Sequence, residues 1–300
     1  MRLTIQSLCL AFISLCITQM VHGGEADSVI PIWPKSPPNW QPLEAAERDT
    51  SGPDSRTVAD RKVIRLGNVS TPELHVYEAK GNPSDTAVLI SPGGGYSILA
   101  WDLEGTEIAE WFQQLGVTAV VVKYRVPTRS REKNWLPPVQ DIQRAIALAR
   151  TEGIPGVKAK RIGVLGFSAG GNASARAALA SKRFYEPIDE HDQAKVSPDF
   201  AVLVYPAWLV NNDKPNELID DLKVTSDSPP MFLAHAQDDR VDCMSSVTLF
   251  SQLKQFKIPA ALHVFSSGGH GYGAREAGSP TDAWPSLCES WMRSQGWLKN

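Results

Sequence analysis

The sequence has few cysteines and histidines and lacks the motifs of several common protein classes. Four cysteines and six histidines occur among its 300 residues. No His-Glu-x-x-His, Cys-x-x-Cys or calcium-loop pattern is present, so neither a metal nor another cofactor is expected. The phosphate-binding patterns Gly-x-x-x-x-Gly-Lys-Ser/Thr and Gly-x-Gly-x-x-Gly are missing too, which argues against phosphate binding.

The charge balance argues against a nucleic-acid partner. The formal net charge is -3 at pH 7, and no run of basic residues occurs. Proteins that bind nucleic acids usually carry a basic patch that neutralises phosphates. The sequence therefore predicts no nucleic-acid partner.

The N-terminal residues have the pattern of an export signal. Arg2 precedes an apolar stretch from Leu8 to Val21, and small residues follow at Gly23 and Gly24. The stretch contains polar residues and is shorter than the roughly 20 apolar residues that a membrane span needs. We therefore expect a signal peptide at residues 1–23, export to the periplasm or the exterior, and no membrane contact after its removal.

The remaining chain divides by composition into two parts. Residues 24–60 hold many prolines and few apolar runs, which predicts a Pro-rich leader that lies over the domain or serves as a linker, and not a separate fold. Residues 61–300 are long enough for one domain with a sizeable core. Outside the predicted signal only Cys243 and Cys288 remain, and a disulfide between them or two isolated thiols are both open.

The most informative motif is Gly166-Phe167-Ser168-Ala169-Gly170. It follows the apolar residues 161–165 and precedes residues 172–180, which are rich in helix formers. Strand before and helix after is the context in which Gly-x-Ser-x-Gly forms a sharp turn that exposes a serine nucleophile. Glycine is needed beside this turn because a β-carbon would clash. The motif predicts acyl transfer through Ser168.

A nucleophilic serine needs donors for the negative oxygen of its tetrahedral intermediate. The short apolar strand at residues 87–90 ends in Pro92-Gly93-Gly94-Gly95, which we call the oxyanion loop. Its glycines can present bare backbone N–H groups. We expect the oxyanion hole to consist of the N–H groups of Gly94, Gly95 and Ala169.

The base and the acid are expected in loops after later strands. His270 lies in a glycine-rich loop after the last predicted strand, where catalytic side chains are often carried. The chain order Ser, Asp, His places the acid between Ser168 and His270. Asp238 and Asp239 both fill that place, and spacing alone leaves the two open.

The alternation of elements predicts an α/β fold. Strands are expected near residues 62–66, 73–78, 87–91, 117–124, 161–166, 200–205, 231–235 and 260–265, with helical patterns between the later ones. Such alternation favours a mostly parallel, eight-stranded sheet with helices on both faces. Residues 210–227 form a polar insertion that we interpret as a short lid, by analogy with this type of fold.

These motifs together resemble the α/β-hydrolases. Within that fold the chain is similar to the secreted acetyl xylan esterase-like carbohydrate esterases, which adjoin the feruloyl esterases and the hormone-sensitive-lipase-like group. The resemblance covers about two thirds of the chain and implies that the acid falls four positions after a strand-terminal histidine, which selects Asp239. The matching residues are Pro92-Gly93-Gly94-Gly95-Tyr96, Glu104-Gly105, Tyr124-Arg125, Asp141, residues 166–171, Pro198-Asp199-Phe200, Tyr205-Pro206, Pro229-Pro230, residues 235–239 and residues 268–271.

The resemblance implies a serine esterase that hydrolyses short acyl esters, acetyl groups first, on plant or algal polysaccharides such as xylan. The alternatives are a feruloyl esterase, a general carboxylesterase or lipase, a peptidase related to the prolyl oligopeptidases, which would share the triad order, and a non-catalytic binding protein on the same fold. Pro92 precedes the glycines where the lipase-like relatives have histidine, which favours the sugar-ester group. Tyr96 and Trp101, close to the oxyanion loop, are candidate substrate contacts.

Overall fold

The computed structural model describes residues 24–211 and 213–299, so the predicted signal peptide lies outside the described residues. An eight-stranded sheet forms its centre. The strands, in chain order, are β1 (Ser28–Pro31), β2 (Glu73–Tyr77), β3 (Thr86–Ser91), β4 (Thr118–Lys123), β5 (Arg161–Phe167), β6 (Phe200–Val204), β7 (Met231–Ala236) and β8 (Ala260–Phe265).

The sheet is mostly parallel, as the sequence predicts. Its spatial order is β1-β2-β4-β3-β5-β6-β7-β8, and antiparallel pairing is confined to β1 with β2 and β2 with β4. The strand expected near residues 62–66 is not part of this sheet, because the chain there forms short strands, Arg61–Lys62 and Arg65–Gly67, that pair elsewhere. In its place β1, which comes from the Pro-rich segment, pairs with β2 and brings the number of strands in the sheet to eight.

Helices cover both faces of the sheet. They are α1 (Glu107–Gln114), α2 (Leu136–Arg150), α3 (Ser168–Leu179), α4 (Met244–Gln255) and α5 (Trp284–Ser294). Because successive strand residues point to opposite faces, Ala87 and Leu89 of β3 pack with α2 and α3, whereas Val88 and Ile90 pack with α1 and α5. The two resulting cores hold the strand ends in fixed positions.

The Pro-rich segment packs against the domain and adds a strand to its sheet. Ile32, Trp33 and Trp40 are buried, and the Trp33 indole N–H donates to Asp141 Oδ1 over 2.7 Å. Pro31 is tolerated in β1 because this is an edge strand, where a missing N–H removes no ladder bond. The segment is proline-rich, yet its few apolar side chains bury well enough to complete the sheet edge.

The polar insertion at residues 210–227 contains a short hairpin, Val210–Asn211 with Lys214–Leu218. The hydrogen bond from Thr248 Oγ1 to the Pro215 carbonyl anchors this hairpin on α4.

Cys243 and Cys288 are both free thiols, so the predicted alternative of a disulfide between them is not formed. Within the described part of the chain, no helix has the length and apolar character that crossing a membrane requires.

Candidate active site

Ser168 lies on a sharp turn between β5 and α3. Its φ angle is 50°, in the left-handed region that non-glycine residues rarely occupy. A β-carbon on Gly170 would lie 2.1 Å from the Ser91 carbonyl oxygen, and one on Gly166 would lie 2.4 Å from the Gly170 carbonyl oxygen. Only glycine fits at both flanking positions, as the motif predicts, and Ser168 is 7% exposed at the carboxyl end of the strand.

The structure brings Ser168, His270 and Asp239 into one hydrogen-bonded chain. The Ser168 Oγ lies 2.8 Å from His270 Nε2, and His270 Nδ1 lies 2.8 Å from Asp239 Oδ2. An ionised carboxylate can only accept, so Nδ1 carries the hydrogen and Nε2 is left to accept the hydroxyl hydrogen of Ser168. This arrangement suits a histidine that removes a proton from serine.

The two acids that spacing left open have different contacts. Asp238 Oδ1 accepts a hydrogen bond from the Gly269 N–H over 2.8 Å and so positions the loop that carries His270. The Asp239 carboxylate is buried against His270 and also accepts from the Val241 N–H over 2.7 Å. Burial would raise the pKa of Asp239, but hydrogen bonds from His235, His270 and Val241 outweigh it and lower that pKa, so the carboxylate stays ionised.

His235, at the end of β7, supports Asp239. Its Nε2 lies 3.0 Å from the Val241 carbonyl oxygen and 3.4 Å from Asp239 Oδ2. Since a carbonyl only accepts, Nε2 carries the hydrogen, and Nδ1 accepts from the Ser246 hydroxyl over 2.9 Å. The imidazole is fully buried and fixes the turn in which Asp239 lies.

The oxyanion loop presents its N–H groups beside Ser168. The Gly93 N–H donates a hydrogen bond to Glu104 Oε2 over 2.7 Å. The N–H groups of Gly94 and Gly95 donate to no acceptor among the residues that the structure describes. Gly94 has a φ of 132°, and a β-carbon there would lie 2.0 Å from the Ile98 carbonyl oxygen. The N–H of Ala169 lies in the first turn of α3, where no helical acceptor is available. These three groups can hold a developing oxyanion.

The roles of Glu104 and Tyr205 were missed by the sequence reasoning. Tyr205 donates its hydroxyl hydrogen to Glu104 Oε1 over 2.9 Å and accepts from the Gly273 N–H over 2.9 Å. Because the other oxygen of Glu104 holds the Gly93 N–H, the pair joins the oxyanion loop to the His270 loop. Burial raises the pKa of Glu104. The sequence signal that could have indicated the role of Glu104 is an acidic residue shortly after the glycines of the oxyanion loop.

The two aromatic candidates for substrate contact do not line the cavity at Ser168. The Tyr96 side chain is fully buried, and its hydroxyl donates to Asn172 Oδ1 over 2.9 Å. The Trp101 ring packs on His75 with ring centroids 4.8 Å apart. Trp208, which is 38% exposed, lies at the cavity instead. It follows the strand end at Tyr205-Pro206, and no pattern in the sequence singled it out.

A cavity of about 430 Å³ opens at Ser168 and His270, and we call it the active-site cavity. Its wall includes Gly94 and Gly95 of the oxyanion loop and Trp208. Among the described residues that line it, none comes from residues 210–227, so the insertion interpreted as a lid does not cover Ser168. The reacting groups therefore face an open cleft.

Comparison with known proteins identifies the family of this chain. A family model described as the alpha/beta hydrolase fold matches residues 88–262. The chain belongs to this family. The predicted α/β-hydrolase fold is thereby confirmed, with its mostly parallel eight-stranded sheet.

Two relatives with names that refer to xylan match this chain. The chain is 28% identical over 216 residues to an acetylxylan esterase of Xylanibacter ruminicola and 26% identical over 219 residues to an endo-1,4-beta-xylanase B of Butyrivibrio fibrisolvens. These matches cover 64% and 67% of this chain but only 42% and 34% of the relatives, so the chain spans less than half of their length.

A solved structure matches over nearly the whole chain. An acetyl ester-xyloside bifunctional hydrolase from Caldicellulosiruptor lactoaceticus superposes with a TM-score of 0.71 at 26% identity. The match covers 92% of this chain and 98% of that protein. The predicted similarity to acetyl xylan esterase-like α/β-hydrolases is confirmed.

Proposed function

We propose that this protein is a serine esterase that removes short acyl groups, acetyl first among them, from polysaccharides such as xylan. The observation that carries the proposal is the chain of two 2.8 Å contacts from Ser168 through His270 to Asp239, beside unused N–H groups of the oxyanion loop. A nucleophile, a base held by an acid, and donors for an oxyanion are the parts that acyl transfer requires.

In the proposed mechanism His270 takes the proton of Ser168 while Oγ attacks the ester carbonyl. The N–H groups of Gly94, Gly95 and Ala169 stabilise the oxyanion of the tetrahedral intermediate, each worth about 3 to 4 kcal/mol. His270 then protonates the departing sugar oxygen, which leaves an acyl-enzyme on Ser168. Water attacks this ester with His270 as the base again, which releases the acid and restores the serine.

An acetylated polysaccharide is favoured as substrate by the names of the relatives, which point to xylan, and by the open cleft of the site. The similar proteins include an acetylxylan esterase and an acetyl ester-xyloside hydrolase. The open cleft suits an ester carried on a polymer. Cleavage of glycosidic bonds is disfavoured because it needs two carboxyl groups across the scissile bond. Among the described residues that line the cavity, Glu104 is the one acid, and both of its oxygens accept hydrogen bonds.

The proposal is tested by acetate release from acetylated xylan by the purified protein, with nitrophenyl acetate run beside it. Ser168→Ala should lower turnover by several orders of magnitude and leave the fold intact. Ser174→Ala is the matched control, because Ser174 lies on the same helix with its buried hydroxyl unpartnered among the described residues. Equal loss in both variants, or retained activity in Ser168→Ala, would refute the assignment.

Two readouts separate the alternatives. Labelling of Ser168 by a fluorophosphonate probe distinguishes an esterase from a binding protein on the same fold. Cleavage of nitrophenyl acetate without acetate release from xylan would leave a serine esterase with another carrier, for which feruloyl esters are the next substrates to assay. We also infer export, which the charge and apolar pattern of residues 1–23 supports.

A further inference from the structure

We propose that the sugar which carries the ester also carries an anionic group, a carboxylate or a sulfate, and that Arg56, Arg65, Arg129 and Arg240 bind it. The four residues, which we call the arginine cluster, all line the active-site cavity with Ser168 and His270. The inference rests on the proposed esterase function and specifies its substrate class.

The arginine cluster is assembled by the fold from distant parts of the chain. Arg56 and Arg65 come from the segment before β2, Arg129 from the loop after β4, and Arg240 directly follows Asp239. Since no two of them are adjacent in sequence, the chain shows no basic run, and its net charge is -3. The four positive charges of the cluster therefore come together at the cavity although the chain as a whole has a negative net charge.

These arginines lack the carboxylate partners that arginines elsewhere in the fold have. Arg125 pairs with Asp141, Arg144 with Asp189 and Arg275 with Glu107. Across residues 24–211 and 213–299, no salt bridge joins a member of the arginine cluster to an acid, and all four side chains are exposed. Their charges are therefore free to meet an anion from solution.

The nearby acids offset only part of the charge of the cluster. Glu104 is buried, both of its oxygens accept hydrogen bonds, and burial raises its pKa, which disfavours the charged form. Asp49 accepts from the N–H and hydroxyl of Ser51 and from the Arg65 backbone N–H, and these bonds with the charge of Arg65 outweigh its partial burial and lower its pKa, so it is ionised and offsets part of the charge of Arg65. Asp49 does not line the cavity, and four arginines against Glu104, the one acid among the described residues that line it, leave an excess of positive charge next to the nucleophile.

Arg129 is positioned best for recognition. Its guanidinium lies 4.7 Å from the centroid of the Trp208 ring and donates to the Gly95 carbonyl over 3.2 Å, beside the oxyanion loop. A guanidinium held by an aromatic face retains further N–H donors in a planar fork that matches carboxylate and sulfate oxygens. An anion bound there would lie on the same sugar, or the next one, as an ester whose carbonyl lies at Gly94 and Gly95.

The test compares three acetylated polymers that differ in charge: xylan as the neutral one, polygalacturonate for carboxylate and a sulfated galactan for sulfate. We expect kcat/KM for acetate release to be at least tenfold higher on one of the anionic polymers than on xylan. Whichever anionic polymer is preferred identifies the source of the charge. The preference should shrink as ionic strength rises, because salt screens exposed charges.

Substitutions assign the preference to the cluster. Arg129→Gln and Arg56→Gln should each reduce the ratio of anionic to neutral kcat/KM by about tenfold, since a hydrogen bond between charged groups is lost. Arg131→Gln is the matched control: it removes the same charge, but Arg131 packs over Trp40, away from the active-site cavity. Its ratio should stay at the wild-type value.

Two outcomes would overturn the inference. One is hydrolysis of neutral xylan as efficiently as both anionic polymers; the other is a ratio unchanged in Arg129→Gln and Arg56→Gln. Failure of the proposed esterase function is distinguishable, because then nitrophenyl acetate would not be cleaved either. In that case calorimetry with trigalacturonate, a sulfated trisaccharide and xylotriose decides: tighter binding of either anionic trisaccharide supports the cluster, and equal or absent binding refutes it.

Discussion

Replacement of Asp239 by Asn tests the central hydrogen-bonded chain of the site. The carboxylate is buried and lies 2.8 Å from His270 Nδ1, so it selects the tautomer that leaves Nε2 free for Ser168. An asparagine that turned its amide N–H₂ towards His270 would favour the opposite tautomer, with the hydrogen on Nε2. His270 could then no longer accept the proton of Ser168.

The expected loss of activity is large because His270 in the wrong tautomer cannot act as the base in any turnover. In a serine–histidine–aspartate triad this substitution lowers kcat by about 10⁴-fold, equivalent to about 5.5 kcal/mol of activation free energy. In Asp239→Asn the amide oxygen of the new side chain can still accept from the Val241 N–H, so the turn should persist. We therefore expect a loss of kcat for nitrophenyl acetate with little change in the far-ultraviolet circular dichroism spectrum.

The neighbouring acid provides the control. Asp238 is exposed and accepts only from the Gly269 N–H in the described structure, a bond that an asparagine oxygen can replace. Asp238→Asn should stay within about tenfold of wild type, because a neutral acceptor is weaker than a charged one by about 1 kcal/mol. Loss of activity in Asp238→Asn equal to that in Asp239→Asn, or an active Asp239→Asn, would refute the assignment of the acid.

Three further perturbations test the surrounding structure. Asp141→Asn should lower the free energy of unfolding by about 3–5 kcal/mol in urea denaturation, since it leaves the buried Arg125 without its ion partner; a change below about 1 kcal/mol would contradict this. Glu104→Gln should gain stability relative to wild type as pH rises above the ordinary range of a carboxyl pKa, because burial raises the pKa of Glu104 and the stability that its protonated form contributes is lost as pH rises through that pKa; a melting-temperature difference independent of pH would argue against it. In native protein a thiol reagent should label the half-buried Cys243 and spare the buried Cys288 until denaturant is added, and thiols that resist labelling after unfolding without reductant would reveal a disulfide.

The groups of the candidate triad could be predicted because each one comes soon after a strand. Ser168 directly follows β5, Asp239 comes three residues after β7 and His270 five residues after β8, and parallel strands bring their carboxyl ends to one edge of the sheet. Glycine patterns around Ser168 and His270 mark the turns. These signals are local in sequence, and a single chain is enough to interpret them. The catalytic roles of the three residues stay a prediction.

The features that sequence reasoning missed depend on contacts between distant segments. The strand β1 has only Val29 and Ile30 as apolar residues among prolines, and its pairing partner β2 is more than forty residues away. The Glu104–Tyr205 hydrogen bond joins residues on opposite sides of Ser168 in the chain. Tyr96 illustrates a different problem, because an aromatic side chain beside a glycine loop has the same local pattern whether it is buried or lines a cavity.

The division of the chain suggests how chemistry and selectivity are separated. The family match, residues 88–262, includes the oxyanion loop, Ser168 and Asp239, whereas Arg56 and Arg65 lie before it. The segment that carries these arginines is held by Arg275, which donates to the carbonyl oxygens of Arg61 and Lys62 over 2.9 and 3.0 Å. Because Arg275 lies only five residues after His270, the same loop positions the proposed base and the wall of the cavity. In the proposed esterase, the shared fold would thus supply most of the acyl-transfer machinery, and the N-terminal segment would contribute half of the charge that selects the substrate.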